Sequence, residues 1–254
     1  MNLYLLTAVI LIFVRISGIF LLIPMFGAKN VPKMVKIGFI LFLSIIAINI
    51  VGVNTELVYS TLPEFGYHII QEFIIGLSLG MISTIIMNSI YVAGLLVDRN
   101  IGFAMVSVMS AQDEAQIPVS ANLYYIFSMI IFLMANIHHQ MITAVLYTFR
   151  VIPLGKGVVD VFIGKRLTDI LAQSFIIGFK LAGPFIIAIL IANVLLGMLS
   201  KAMPGMNVFV VGLPLKVFVG LVTFYFVMDY YYGSFVNMFE LIFEYMIEFV
   251  NYFG

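Results

Sequence analysis

Six apolar blocks follow one another along this chain, separated by short stretches that contain proline, glycine or charged residues. The blocks are Leu3–Phe26, Val35–Val53, Phe73–Val97, Leu123–Phe149, Ser174–Leu199 and Val208–Met228. Each is about as long as the ~20 helical residues that cross the hydrocarbon core of a bilayer. None has the strand-like alternation of a membrane barrel, so the pattern predicts an all-α membrane protein of helical hairpins with about six long apolar helices.

A seventh segment, Ser234–Tyr252, carries a single polar stripe on an otherwise apolar sequence. The polar residues are spaced 3, 4, 4 and 3 apart and are Asn237, Glu240, Glu244, Glu248 and Asn251. This spacing puts them on one face of a C-terminal amphipathic helix. Because no basic residue accompanies them, the stripe is not typical of a helix that binds anionic lipids. It faces water at the membrane rim or lines a surface that favours cations.

Turn-forming residues between the blocks indicate where the helices end. They predict breaks near Gly27–Pro32, Pro118, Pro153 and Pro204. No spacer is long enough, or rich enough in serine and glycine, to be a domain linker, so residues 1–254 are predicted to form one membrane domain. The first block lacks the basic start and the small-residue cleavage site of a signal peptide, and we expect it to be retained as the first helix.

The composition narrows the possible function classes. Hydrophobic residues make up 63% of the chain and charged residues 9%, and the mean hydropathy is +1.18, whereas a soluble domain carries about 25% charged residues. A net charge of zero leaves no basic face for nucleic acid. Cysteine is absent, and His138 and His139 have no third ligand nearby, so we expect neither a metal nor a cofactor. Hydrolase, ATPase and metalloprotease motifs are absent, which predicts that the protein is not an enzyme.

Basic residues do not determine the orientation of the predicted helices. With six spans, four basic residues lie on the side of the N-terminus and six on the other side, including Arg99, Lys201 and Lys216. Four against six is no clear positive-inside bias. Either the topology is unusual or partner proteins decide it.

One arginine, Arg15, lies in the middle of the first apolar block. A lone arginine at the bilayer centre costs about 2.5–3.5 kcal/mol on insertion scales, so it needs a partner or an aqueous surface. Glu72 is the candidate partner, and snorkelling to the interface is the alternative. We interpret Arg15 and Glu72 as structural charges at helix contacts inside an assembly, turned away from solvent.

Glycines interrupt the 25 uncharged residues between Glu72 and Asp98, at Gly76, Gly80 and Gly94. Small residues four apart let helix backbones approach closely in a membrane. Similar small-residue faces recur in the fifth block, so the sequence predicts a tightly packed bundle that belongs to a membrane assembly. We expect the isolated chain to be poorly stable, because these faces and the arginine of the first block need the helices of partner proteins.

Two connectors between the blocks have unusual compositions. Gly102–Pro118 is apolar in its first part and acidic in its second. It is either an ordinary loop or a flexible apolar plug, because methionine and valine can seal a pore without specific chemistry. The plug residues would be Met105, Val106, Ser107, Val108, Met109, Ser110 and Ala111. The second connector follows the break at Pro204, and its predicted residues are Asn207, Pro214 and Lys216.

A series of motifs runs in order through nearly the whole chain. They are Arg15 with Gly18 and Pro24, NVPKMVKIG at 30–38, QEFIIGLSLG at 71–80, AGLLVDRNIG at 93–102, NIHHQMI at 136–142, IPLG at 152–155 and FKLAGPFIIAILIANVLLGMLSKAMPGMNVFVVGLPLKVFVG at 179–220. This ordered set resembles the FliR family, the export-gate component of bacterial flagellar type III secretion. The SctT proteins of injectisomes share the same plan.

The resemblance implies a structural subunit that joins FliP- and FliQ-like proteins around a conduit for unfolded polypeptides. It implies FlhB- and FlhA-like export proteins as further partners, and a location in the bacterial inner membrane at the flagellar basal body. A FliP-like part would cover about residues 1–120, and the remaining residues, to 254, would include a FliQ-like hairpin. The connector after Gly102 would dip into the channel, and energy would come from an ATPase complex and the proton motive force.

The residues that we assign to structure or assembly under this interpretation are Arg15, Glu72, Gly76, Gly80, Gly94, Asp98, Pro184, Asn207, Pro214 and Lys216. Three other functions compete with it. One is the corresponding subunit of a virulence injectisome. A secondary transporter should show two matching halves with broken helices, and the halves of this chain do not match evidently. An intramembrane hydrolase needs paired catalytic residues in its spans, and the sequence has none.

Overall fold

The computed structural model of the chain describes residues 3–23, 32–51, 59, 61–103, 118–157, 163–203, 205 and 207–253. Regular structure within these ranges is helical. The helices are α1 (Leu3–Leu22), α2 (Lys33–Val51), α3 (Leu62–Ile101), α4 (Val119–Met134), α5 (Ile137–Val151), α6 (Ile163–Ala202), α7 (Val208–Phe226) and α8 (Met228–Val250). The prediction of an all-α fold is confirmed.

Four helices, α1, α2, α3 and α6, are long and apolar enough to cross a membrane. The pairs α4–α5 and α7–α8 pass the same test when each pair is counted as one broken span, which brings the candidate spans in the described residues to six. The bend between α7 and α8 is 68°. These helices confirm the prediction of about six long apolar helices.

Helices α3 and α6 are longer than the apolar blocks that predicted them. Each has 40 residues, or about 60 Å at 1.5 Å per residue, twice the ~30 Å of a hydrocarbon core. Helix α3 begins at Leu62 rather than Phe73, and α6 begins at Ile163 rather than Ser174. Glu72 is therefore an interior residue of α3, and the glycines of this stretch do not break the helix.

The fourth apolar block is divided by a break that the sequence analysis missed. Helix α4 ends at Met134, and α5 begins at Ile137. Between them Asn136 has a φ of 55°, in the left-handed region. Asparagine adopts this conformation more readily than other non-glycine residues because its short polar side chain bonds locally.

Helix α7 includes two residues that were predicted to form a connector. Pro214 and Lys216 lie inside α7, so that prediction is wrong for both. Asn207 does lie at the start of the helix, where its carbonyl oxygen accepts hydrogen bonds from the backbone N–H groups of Val210 at 3.1 Å and Val211 at 3.3 Å. The last helix also begins earlier than predicted, at Met228 rather than Ser234.

The chain divides into two compact units that interleave along the sequence. Unit 1 comprises Met1–Met87, Asn136–Leu171 and Phe239–Gly254. Its core includes buried faces of α1, α3 and α5, such as Ile12, Ile75 and Val145. Unit 2 comprises Asn88–Ala135 and Ala172–Met238. Its core is rich in aromatic side chains, among which are buried Tyr124, Phe185, Tyr231 and Phe235.

Candidate functional site

Arg15 and Glu72 form a fully buried ion pair inside unit 1. Both side chains are 0% exposed. The Nη2 group of Arg15 donates to Oε1 of Glu72 at 2.9 Å, and its Nε group donates to Oε2. The guanidinium therefore meets the carboxylate with two parallel hydrogen bonds, the arrangement that makes an arginine–carboxylate pair strongest.

The third nitrogen of the guanidinium caps the C-terminal end of α5. Nη1 of Arg15 donates to the carbonyl oxygens of Ile152 at 2.9 Å and Thr148 at 3.3 Å. The carbonyls at the end of a helix carry a partial negative charge, which a cation neutralises. The carbonyl of Thr148 also accepts the backbone N–H of Ile152 at 2.9 Å. The ring of Phe149 also faces the guanidinium, with 4.4 Å between its centroid and the Cζ atom.

Glu72 in turn holds the loop that follows α5. Its Oε1 atom accepts a hydrogen bond from the backbone N–H of Gly155 at 2.9 Å. Gly155 has a φ of 71°, a conformation that glycine adopts without steric cost. We call Arg15, Glu72 and the backbone groups of Thr148, Ile152 and Gly155 the Arg15 cluster. It joins α1, α3 and the end of α5.

The Arg15 cluster changes two expectations from the sequence. Snorkelling of Arg15 is excluded, because the side chain is buried and paired. The expectation that Arg15 needs a helix of a partner protein is wrong, because the guanidinium finds a carboxylate and two carbonyl oxygens within its own chain. A role for this pair in assembly stays a prediction.

A glycine seam brings α1 close enough to α3 for this pairing. A Cβ atom on Gly76 would lie 2.2 Å from the carbonyl oxygen of Arg15, and one on Gly80 would lie 2.7 Å from that of Ile19. Gly18 completes the seam from the α1 side, since its Cβ would lie 2.9 Å from the backbone nitrogen of Leu77. The small-residue face predicted at Gly76 and Gly80 thus packs inside the chain and is not open to a partner helix.

Unit 2 has a related contact between α3 and α4. A Cβ atom on Gly94 would lie 2.2 Å from the backbone nitrogen of Ala121. One turn later, the buried carboxylate of Asp98 accepts hydrogen bonds from the backbone N–H of Ser120, at 3.2 and 3.3 Å, and from its hydroxyl group. Ser120 is the second residue of α4, so Asp98 satisfies one of the free N–H groups at the start of that helix. The carboxylate of Asp98 therefore stabilises the N-terminal end of α4.

Comparison with known proteins identifies the group to which this sequence belongs. Residues 6–242 match the family described as "Bacterial export proteins, family 1". The flagellar biosynthetic protein FliR of Bacillus subtilis (strain 168) is 30% identical over 247 residues, which cover 94% of this chain and 93% of that protein. The chain belongs to the FliR family. FliR of Caulobacter vibrioides is 25% identical over 83% of the chain and 84% of its own length, and FliR of Escherichia coli (strain K12) is 25% identical over 82% and 78%.

Pro184 lies inside α6 of this FliR-family chain, and two tyrosines bond the carbonyls beside it. A proline has no N–H group, so the carbonyl oxygen four residues earlier, that of Lys180, loses its helical donor. The hydroxyl group of Tyr230 donates to this oxygen at 3.1 Å, and that of Tyr231 donates to the carbonyl of Leu181 at 3.0 Å. Sequence reasoning missed both tyrosines, because the pairing joins residues 50 positions apart.

These tyrosines give a testable prediction for unit 2. Replacing Tyr230 and Tyr231 with phenylalanine keeps the rings but removes both hydroxyl groups and their hydrogen bonds, and we expect each change to lower the free energy of unfolding by about 1 kcal/mol. Tyr232→Phe is the matched control, because Tyr232 is 49% exposed. Thermal unfolding in detergent measures the effect. Equal stability of Y230F/Y231F and Y232F would show that the hydroxyl groups do not hold the proline region of α6.

The polar stripe of α8 has a basic neighbour that the sequence did not reveal. Arg166 of α6 forms an ion pair with Glu248, and its guanidinium lies 5.4 Å from the ring centroid of Tyr245. Glu240 and Glu244 are exposed. In unit 1 the stripe therefore has two exposed carboxylates, Glu240 and Glu244, and an ion pair with Arg166 at its C-terminal end.

Two further predictions concern the plug residues and the adjacent histidines of this FliR-family chain. The plug residues Met105–Ala111 lie outside the described residues, so their role stays a prediction. Among the residues that are described, no group of three or more histidine, cysteine, aspartate or glutamate side chains could hold a metal ion. The rings of His138 and His139 pack against each other, with their centroids 4.2 Å apart.

Proposed function

We propose that this chain is a structural subunit of the flagellar type III protein export gate. With FliP- and FliQ-like proteins it forms the channel through which unfolded flagellar proteins leave the cell. The observation that carries this proposal is the match to flagellar FliR over almost the full length of both proteins, 94% of this chain and 93% of the Bacillus subtilis relative. The relatives named above are all flagellar, which favours the flagellum over an injectisome.

The packing of the chain supports a scaffold role. Buried polar side chains in the apolar helices hold helices together in the Arg15 cluster and in the bond from Ser120 to Asp98. A transporter would instead turn such groups toward a substrate at the midplane of the membrane. We therefore propose that the chain acts as a structural subunit, already folded by its own internal contacts, in the bacterial inner membrane at the flagellar basal body.

Large apolar side chains remain for contact with lipid or with neighbouring subunits. On α2, Phe42 is 60% exposed, and on α6, Ile187 and Leu190 are 62% and 61% exposed. Exposed apolar surface on this scale marks protein or membrane contacts. Because the glycine seam is already filled within the chain, these faces of α2 and α6 are the proposed contacts with FliP-, FliQ-, FlhB- or FlhA-like proteins. The expectation of poor stability in isolation now depends on these exposed faces.

The export role is tested by deleting the gene for this chain in its own bacterium. The proposal requires that flagellin accumulates in the cytoplasm and is missing from the medium, and that the wild-type chain restores its export. Normal growth and unchanged secretion through other systems are the internal controls. Export of flagellin at the normal level in the deletion strain would refute the proposal.

The connector Met105–Ala111 is proposed to seal the closed channel. A conduit wide enough for an unfolded chain must still block ions, and an apolar constriction does so by excluding water. Flexible methionine and valine side chains can close around empty space and yield to a passing polypeptide. This gives the segment a role that does not require it to contribute to assembly.

Replacing Met105 and Met109 with glycine should therefore leave the gate assembled but raise the leakage of ions or a small dye across the membrane. The matched control replaces Ser107 and Ser110 with alanine, since these hydroxyl groups should matter less than the apolar side chains. Dye uptake by cells that express the assembled gate measures the effect. Leakage at the wild-type level, with normal assembly, would reduce this segment to an ordinary loop.

A further inference from the structure

A basic cavity lies where α3, α6 and α7 meet in unit 2. It has a volume of about 380 Å³, and its polar side chains are those of Arg99, Asn100, Asn193 and Lys216. Arg99 is in the last turn of α3, Asn193 is in the last third of α6, and Lys216 follows Pro214 in α7. We call it the Arg99–Lys216 cavity.

The charges of this cavity are unbalanced. No carboxylate is among its lining residues. The described residues of unit 2 contain two carboxylates. Asp98 is bonded to Ser120. Asp229 lies in the first turn of α8 and is not among the residues that line the cavity. A ligand that fits the cavity is therefore an anion.

The surface beside the cavity is apolar and exposed. On α6, Leu195 and Met198 are 53% and 65% exposed, and on α7, Val210 is 67% exposed. A cationic cavity next to exposed aliphatic side chains complements a molecule with an anionic head and a hydrocarbon tail. Basic pockets between membrane helices are typical binding sites for anionic lipid headgroups.

We propose that the Arg99–Lys216 cavity binds the phosphate group of an anionic phospholipid. The planar guanidinium of Arg99 donates two parallel hydrogen bonds to phosphate oxygens, and the ammonium of Lys216 supplies a second charge. The amide of Asn193 provides further donors, and that of Asn100, which donates one hydrogen to the carbonyl of Leu96 at 2.7 Å, has a second hydrogen to donate. Gly197 leaves room on the α6 side, since a Cβ atom there would meet nothing within 4 Å.

An acyl chain of the bound lipid then lies against Leu195 and Met198. This arrangement sets the ends of α3 and α6 at the level of the lipid headgroups. The proposal does not depend on the export function, because it concerns only this chain and the membrane.

The test measures lipid binding by the full-length protein in neutral detergent. Phosphatidylglycerol is titrated in, and native mass spectrometry and thermal unfolding report binding. Phosphatidylcholine and inorganic phosphate are titrated in separate arms. We expect phosphatidylglycerol to bind and to raise the unfolding temperature, and the other two to have little effect.

R99Q/K216Q should weaken phosphatidylglycerol binding by about tenfold or more, because charge-assisted hydrogen bonds are lost. The matched control is R150Q/K165Q, which removes the same charges from exposed positions of unit 1 and should bind as the wild type does. A third variant, D113N/E114Q, removes the acidic side chains of the connector and should also leave binding unchanged.

Four results would overturn the proposal. Equal binding of phosphatidylcholine would show that charge is irrelevant, and an equal effect of inorganic phosphate would show that the cavity binds free anions rather than lipid. A marked rise of lipid binding in D113N/E114Q would show that Asp113 and Glu114 of the same chain occupy the cavity and compete with the lipid. Unchanged lipid binding in R99Q/K216Q would show that the Arg99–Lys216 cavity does not hold the lipid.

Discussion

Arg15→Ala should abolish both the yield of the folded protein and swimming motility. The change leaves the carboxylate of Glu72 buried with one remaining donor among the described residues, the N–H group of Gly155, and removes the guanidinium donor from the carbonyls of Ile152 and Thr148. Removing one partner of a buried ion pair costs about 3–5 kcal/mol, a large part of the ~5–15 kcal/mol that stabilises a typical protein. Protein yield after detergent extraction and motility on soft agar measure the effect.

Two further variants separate the charge of Arg15 from its geometry. Arg15→Lys keeps the charge but cannot present a planar fork to Glu72 and reach two carbonyls at once, so we expect yield and motility well below the wild type. R15M/E72M removes both charges and should recover part of the yield, because apolar residues often replace a buried ion pair at little cost.

The matched control for Arg15 is Arg150→Ala. Arg150 belongs to the same unit, and its side chain is exposed, so its removal should change stability by less than about 1 kcal/mol. If Arg15→Ala gives the same yield and motility as Arg150→Ala, the Arg15 cluster does not hold the fold.

Gly76→Ala should be nearly as damaging as the loss of Arg15. The added Cβ atom would lie 2.2 Å from the carbonyl oxygen of Arg15, which is backbone and cannot move aside as a side chain can. Helices α1 and α3 must separate, and the guanidinium of Arg15 then draws away from Glu72. Overpacking alone costs about 1–3 kcal/mol, and the strained ion pair adds to this. Thermal unfolding and protein yield report the loss.

Gly66→Ala is the control for that prediction, because Gly66 lies in the same helix and a Cβ atom there meets nothing within 4 Å. Alanine is the better helix former, so this variant should be as stable as the wild type or more stable by about 0.5–1 kcal/mol. Equal stability of the Gly76 and Gly66 variants would mean that α1 and α3 are not in close contact.

The helices and the ion pair of Arg15 with Glu72 could be predicted from the sequence. Each follows from the free-energy cost of placing unpaired polar or charged groups in a lipid bilayer. Uninterrupted apolar stretches require helices in lipid, and an arginine in the middle of one requires a partner. The candidate carboxylate, Glu72, is the one that the structure brings to Arg15. The close approach at Gly76 and Gly80 follows from the same kind of reasoning.

The partners of Arg15 on α5 could not be predicted, because they are backbone carbonyls and carry no signature in the sequence. The same holds for the two tyrosines that bond the carbonyls near Pro184. Pro214 was assigned to a connector because proline usually marks a turn. In a membrane helix a proline is tolerated when other groups satisfy the freed carbonyl, and the sequence does not show which groups do so.

The lengths of α3 and α6 were underestimated for a related reason. An apolar block is taken to end at a polar or charged residue, and Glu72 and the polar stretch before Ser174 were treated as such ends. Glu72 is paired with Arg15, and Arg166 in that polar stretch is paired with Glu248, so each helix continues through these residues. A pattern of apolar residues does not reveal which charges are neutralised by distant parts of the chain.

The central claim is that this chain works as a subunit of an export gate and not alone. The most direct measurement is to purify the tagged chain from its own bacterium in mild detergent and to identify the proteins that come with it by mass spectrometry. Our account predicts that FliP- and FliQ-like proteins co-purify in one complex, and that the isolated chain is poorly stable. A monodisperse, stable monomer without these proteins would contradict it.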